Sequence, residues 1–257
     1  MIQLSVVIIT YNEEHNIERC LTSVKGIADE IVVVDSYSTD RTPDICRSFG
    51  AEVIQHKFEG HIEQKNYAVD QTAYSYVLSL DADEALSNEL RTSIASIKSN
   101  WRCDGYEMNR LTNYCGAWIR HGGWYPDRKI RLFHKQQGKW TGVNPHDRYT
   151  MNAPDANIGY LQGDILHYSY YSISGHIKQV DYFTEISAGV MFEKGRKASM
   201  TRLLVSPIFR FIRDYAFKGG WMDGYYGFVI CIISSHAVFL KYVKLRELWK
   251  QHKRRHV

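Results

Sequence analysis

Tyr74-Ser75-Tyr76-Val77-Leu78-Ser79-Leu80-Asp81-Ala82-Asp83-Glu84 is the stretch around which the chain is organised. A short apolar run, Val77 to Leu80, ends in three carboxylates within four positions. Such a run, bounded by polar residues, reads as a buried strand. Asp81, Asp83 and Glu84 then stand just past its C-terminal edge, where open α/β sheets bind their ligands. Carboxylates at alternate positions can converge on one hard divalent cation that keeps waters and substrate phosphates as its other ligands. Clustered carboxylates also repel one another and need a cation or positive side chains to offset that. The stretch predicts a metal-diphosphate site.

Upstream, the same strand-then-helix rhythm repeats. Leu4 to Thr10 predicts a first buried strand, followed by Tyr11-Asn12-Glu13-Glu14 and a helical stripe of Ile17, Leu21 and Val24. Asn12 suits an N-cap, and Glu13 and Glu14 suit the positive end of the helix dipole. Glu30 to Asp35 predicts a second strand, and Thr42 to Phe49 a helix with Pro43 in its first turn and Gly50 at its end. Ala51 to Gln55, Ile62 to Gln71 and Tyr76 to Leu80 continue as strand, helix and strand, and Ser87 to Lys98 adds a helix. This alternation predicts a parallel sheet with right-handed crossovers. Past Trp101, aromatic and alternating stretches (Tyr106 to Leu111, Lys129 to Phe133, Ile158 to Leu161, Ile165 to Tyr168) predict antiparallel additions at the sheet edge. From Ser172 the pattern is helical, broken at Lys194-Gly195-Arg196-Lys197 and resumed from Leu203 and from Tyr225. The predicted division is a catalytic domain over 1–170 and a helical region over 171–257.

Composition narrows the function classes. The chain has 257 residues and a net charge of +4, but Lys241 to Val257 alone holds seven Lys and Arg against Glu247. The remainder is close to neutral, which argues against nucleic acid as a partner and for a tail that touches an anionic surface. Five cysteines (Cys20, Cys46, Cys103, Cys115, Cys231) lack metal-ligand spacing, and with no signal peptide they read as reduced cytosolic thiols. Neither a Gly-x-Gly-x-x-Gly nor a Walker loop is present, which disfavours dinucleotide and ATP folds of those kinds. Asp35, at the end of the second strand, is placed to accept from a base or ribose, or to serve as a turn residue. Tyr11 could stack on a base. Lys65, Arg128 and Arg131 are cations available to donor phosphates or to anionic groups on an acceptor. Trp124 and Tyr125, beside Gly122-Gly123, suit either a sugar-stacking loop or core packing.

Several spaced motifs carry a resemblance. Val6 to Glu13, Val33 to Asp40, Gln64-Lys65-Asn66 and Asp81-Ala82-Asp83-Glu84 together resemble a family 2 glycosyltransferase of GT-A fold. Within that family the chain is similar to the bacterial branch that adds glucose to the inner core of lipopolysaccharide. The similarity continues through Gly123 to Arg128, Arg131-Leu132-Phe133, Asn144-Pro145-His146-Asp147 and His167 to Tyr170, and weakly through Lys218 to Gly224. It implies an α/β fold with a mixed sheet, and inverting transfer of a hexose from a UDP-sugar with Mg²⁺ or Mn²⁺. By the family pattern Thr10, Tyr11, Glu13, Asp35, Lys65, Asp81, Ala82 and Asp83 bind the donor, and Asp81, Asp83 and His167 the metal. Asp147 stands where the branch usually carries a glutamate and is the expected general base, with Asp127 as runner-up. The acceptor implied is a lipopolysaccharide core or another lipid-linked glycan.

The chemistry needs these residue types. A departing diphosphate develops negative charge that a cation stabilises, and the attacking hydroxyl needs a base. Gly224 to Leu240 lacks Lys, Arg, Asp and Glu but is short and polar for a spanning helix, which takes roughly 20 apolar residues. With the basic tail it predicts a peripheral location on the inner face of the cytoplasmic membrane; the alternative is a helical hairpin that packs on the catalytic domain or forms a homo-oligomer, a dimer. A sugar nucleotidyltransferase would want a Gly- and Arg-rich triphosphate loop after the first strand. A non-catalytic sugar-nucleotide scaffold is the third class, and a turnover assay separates it from the enzyme.

Overall fold

Apolar runs buried on both faces form parallel strands, because crossover helices cover both sides of the sheet. The structure, a computed structural model, describes residues 1–143 and 146–255. Its first elements are β1 (Leu4–Thr10), α1 (Ile17–Val24), β2 (Glu30–Asp35), α2 (Thr42–Ser48), β3 (Glu52–Gln55), α3 (His61–Asp70) and β4 (Tyr76–Asp81). The strands lie in the order β3-β2-β1-β4 and all run parallel. Thr10 is level with Asp35 and Ile9 with Asp81, so the functional strand ends share one edge. Alternate residues of β1 serve opposite faces. Leu4, Val6 and Ile8 pack with Ile17, Leu21, Leu90 and Ile94, whereas Val7 packs with Val32, Val34, Ala68 and Phe133.

Asn12 is not a helix cap. The helix starts only at Ile17, and Asn12 sits in the left-handed region at φ 53°, which Asn tolerates better than most residues. Its N–H donates to Ser38 Oγ (2.8 Å) and its Oδ1 accepts from the Thr39 N–H (2.8 Å). The Glu13 N–H donates to Thr42 Oγ1 (2.8 Å). The loops after β1 and β2 are thereby stitched together.

The chain continues as β5 (Glu84–Leu86), α4 (Asn88–Ser99), β6 (Gly105–Tyr114), β7 (Ala117–Ile119), β8 (Arg128–His134), β9 (Gly138–Val143), β10 (His146–Met151) and β11 (Ile158–Tyr170). β8 adds antiparallel to β4, with Leu78 opposite Leu132, and the order runs on through β6, β11 and β5. This is the mixed α/β sheet that the sequence predicts. Two expected stretches, Ile158 to Leu161 and Ile165 to Tyr168, are one continuous strand. β9 and β10 form a separate hairpin without a strong apolar alternation to announce it. Asn144, Pro145 and the His146 side chain, part of the stretch that carries the resemblance up to Asp147, lie outside the described residues.

The contacts divide the chain into two units, residues 1–111 with 126–168, and residues 112–125 with 169 onward. In the second unit Ser172 and Ser199 cap α5 (Ile173–Glu193) and α6 (Met200–Ile212) through their side chains. A π turn, Arg213–Phe217, and a 3₁₀ turn, Gly220–Asp223, lead to α7 (Gly224–Arg255). α5 and α6 both pack on α7. Asp223 accepts from the backbone N–H of His121 (2.7 Å) and of Arg120 (3.1 Å). The sequence marks Gly224 to Leu240 as too short to span a bilayer. α7, however, runs unbroken through the basic stretch for 32 residues, and by length and composition it could cross a membrane. Its C-terminal part is docked, not free: Leu245 is fully buried and Lys244 pairs with Asp181 on α5 (2.7 Å).

Candidate active site

The end of β4 delivers the predicted carboxylates to a cluster of cations in the first unit. Lys65, on α3 and 3% exposed, places its Nζ 2.9 Å from Asp81 Oδ1 and 2.8 Å from Asp147 Oδ2. Arg131, on β8 and equally buried, donates to Asp81 (3.1 Å) and to Glu84 (2.8 Å). The second oxygen of Glu84 accepts from the Asp81 N–H (2.9 Å). Burial works against charge on Asp81, but Lys65 and Arg131 outweigh it and hold the carboxyl well below the usual range. The repulsion anticipated among the three carboxylates is offset at Asp81 and Glu84 by protein cations.

Asp83 faces elsewhere. β11 pairs with β5 so that His167 is opposite Glu84, and the Tyr168 N–H donates to the Asp83 carbonyl (2.9 Å). That register brings His167 Nε2 to 3.1 Å from Asp83 Oδ2. Burial lowers the His167 pKa, but the Asp83 carboxylate outweighs it and raises the value above that of a free imidazole. His167 Nδ1 is buried with no hydrogen-bond partner among the described residues. Among the described residues no three of His, Cys, Asp and Glu converge as metal ligands. Of the expected Asp81–Asp83–His167 set, Asp83 and His167 meet, while Asp81 turns to Lys65 and Arg131. A carboxylate and an imidazole suit a cation that takes its remaining ligands from a diphosphate and water. Burial raises the Glu13 pKa against an opposing hydrogen bond from Asn16, and Asp83, Asp40 and Asp81 add to the rise. Ala82, 4% exposed, lies between the two aspartates.

At the neighbouring strand ends Tyr11 is exposed, as is Tyr37. Asp35 is fully buried and accepts from the Ser38 N–H (2.9 Å) and Oγ (2.5 Å), so it holds the loop after β2. Thr10 is buried too, and its Oγ1 has no hydrogen-bond partner among the described residues.

The β9–β10 hairpin brings Asp147 into the cluster. Asn66 clamps it to α3, donating to the Trp140 carbonyl (3.0 Å) and accepting from the Trp140 N–H (2.9 Å). The Trp140 ring then lies 4.6 Å from Lys65 Nζ. Lys65, Asp81, Arg131, Trp140 and Asp147 line a cavity of about 500 Å³, as do Arg110 and Arg128. Arg128 pairs with Glu107 (2.9 Å). Asp127 is held by Arg110 (2.9 Å) and Lys129 (3.0 Å). Trp124 and Tyr125 belong to the second unit. Trp124 packs in an aromatic cluster with Tyr114, Tyr170 and His176, and Tyr125 lies beside Arg120 (5.7 Å). Sequence reasoning passed over Arg110 and Trp140, which carry no motif, and gave Glu84 no separate role.

Known proteins agree with this architecture. The model of glycosyl transferase family 2 matches residues 5–153. An uncharacterized glycosyltransferase of Rickettsia typhi is 34% identical, over 96% of this chain and 88% of its own. The lipopolysaccharide core biosynthesis glycosyltransferase LpsC of Rhizobium meliloti is 26% identical over 94% of this chain and 91% of its own. Among solved structures, the mannosyltransferase PcManGT of Pyrobaculum calidifontis, crystallised with GDP-mannose and Mn²⁺, superposes with a TM-score of 0.54. That likeness, at 16% identity, covers 97% of this chain and 88% of the other. The chain belongs to glycosyl transferase family 2, and its fold is the GT-A fold.

Proposed function

We propose that the protein moves a hexose, glucose by resemblance, from a UDP-sugar to a lipopolysaccharide-core or other lipid-linked glycan at the cytoplasmic membrane face, with inversion. The observation that carries this reading is the Lys65 bridge, which joins a strand-end aspartate to Asp147 on the wall of one cavity. LpsC, a relative over most of both chains, supports the acceptor class. Residues 1–170 carry the chemistry. Residues 171–257 serve association with an anionic membrane or with a second copy.

In this mechanism Tyr11 stacks on the base, Asp35 fixes the loop that shapes the base pocket, and Thr10 and Glu13 complete the donor's nucleoside end. Asp83 and His167 would hold the divalent cation, Mg²⁺ or Mn²⁺, which when bound would neutralise charge on the diphosphate. Asp147 takes the proton of the acceptor hydroxyl as its oxygen bonds to the anomeric carbon. The bond from that carbon to the diphosphate breaks on the opposite face, and UDP departs. Lys65 and Arg131 stabilise the charge that develops there.

Thermal denaturation with a panel of nucleotide sugars, with and without Mn²⁺, tests the donor. A UDP-sugar at about 100 times its dissociation constant stabilises by roughly 2.7 kcal/mol. The corresponding Tm rise is several degrees and depends on Mn²⁺. A rise with GDP-sugars alone would overturn the UDP assignment.

A further inference from the structure

The second unit carries an apolar surface that the transfer chemistry does not use. Leu204, Val205, Ile208, Phe209 and Ile212 of α6 recur at intervals that put them on one helix face, and each is between 46% and 63% exposed. The opposite face, with Leu203 buried, is the one that packs on α7, where Ser235 Oγ donates to the Pro207 carbonyl (2.7 Å). A surface helix ordinarily turns its apolar stripe inward; α6 turns it out. Beyond α6, Phe217, Trp221 and Met222 are also more than half exposed.

Charge surrounds this surface in one sense. Between Lys194 and Lys218 the chain has seven Lys and Arg, and Asp214 is its only acidic residue. Asp214 is itself buried, and Arg210 and Arg213 pair with it. Lys194, Arg196, Lys197 and Arg202 stand exposed before and within the first turn of α6, and Lys218 beyond its end. A two-fold dimer through this face would bring like charges together. An anionic lipid surface meets both the apolar strip and its cationic rim.

We propose that the outward face of α6, with Phe217, Trp221 and Met222, beds into the headgroup region of an anionic bilayer. This places the apolar contact on α6 and leaves the end of α7, with exposed Lys250, Lys253 and Arg254, a purely electrostatic part.

Co-sedimentation of the full chain with phosphatidylcholine vesicles, with and without phosphatidylglycerol, tests it, alongside sedimentation velocity without lipid. The variants are Ile208→Asp/Phe209→Asp and Lys250→Glu/Lys253→Glu/Arg254→Glu. Because every substituted side chain is exposed, thermal denaturation should match wild type in both. Wild type should bind the phosphatidylglycerol vesicles, and the α6 variant should bind at least about tenfold more weakly. Wild-type binding by the α6 variant would overturn the proposal. So would a wild-type dimer that binds no vesicle and that the α6 variant dissociates. The UDP-sugar thermal shift is read separately, so failure here leaves the donor assignment standing.

Discussion

Lys65 Nζ lies 2.8 Å from Asp147 Oδ2 and 2.9 Å from Asp81 Oδ1, so one buried ammonium joins carboxylates 66 positions apart in sequence. Removing it leaves both without that partner. Lys65→Met should lose transfer activity and about 3–5 kcal/mol of stability, the usual cost of breaking a buried pair. Turnover assays and chemical denaturation of the same preparation check both effects.

Asp147→Asn keeps the shape and removes the proposed base. Donor binding, read by thermal shift, should survive, while kcat falls by roughly 10²–10⁴-fold. Unchanged turnover would move the base to another carboxylate, Asp127 first.

Asp83→Ala and His167→Ala should each abolish Mn²⁺-dependent turnover and the Mn²⁺-dependent part of the nucleotide-sugar shift. Asp81→Asn should instead weaken the donor complex with and without Mn²⁺, since Asp81 faces Lys65 and Arg131. Equal metal dependence in all three variants would count against the division between Asp81 and Asp83.

His176 in the second unit is 3% exposed, and its Nδ1 meets the Tyr114 hydroxyl at 3.0 Å. Burial pushes its pKa down to about 4. Its folded value lies below the unfolded one of ~6.5, so the unfolded chain takes up the proton first as pH falls. Stability should therefore drop by about 1.4 kcal/mol per pH unit from pH ~6.5 towards pH ~4. Tm measured against pH for wild type and His176→Gln checks this; the variant should lose the slope in that window.

Gly227, near the start of α7, leaves no room for a methyl group: a Cβ there would lie 2.0 Å from the Gly220 carbonyl oxygen. Gly227→Ala should cost about 1–3 kcal/mol, seen as a lower Tm. A wild-type Tm would mean that the 3₁₀ turn shifts freely.

Much of the first unit was legible in advance because its signals are local. β1 and β2 fall where the apolar runs fall, and Pro43 and Gly50 bracket α2 as their backbone preferences require. Asn12 misled because Asn serves equally at caps and in left-handed turns. The partner that decided it, the loop after β2, is 26 residues away. The β9–β10 hairpin was missed because it is held to α3 by Asn66 rather than by an apolar alternation of its own.

The sequence by itself determined the alternation of strands and helices from β1 to β4, the carboxylates at the end of β4, and the family. Periodicity and the chemistry of neighbouring residues suffice for these. Only the tertiary structure decided which cation meets which carboxylate, that Asp83 rather than Asp81 pairs with His167, and that α6 shows its apolar face outward. Those depend on strand register and on which helix face packs inward, both set by contacts between residues far apart in the chain.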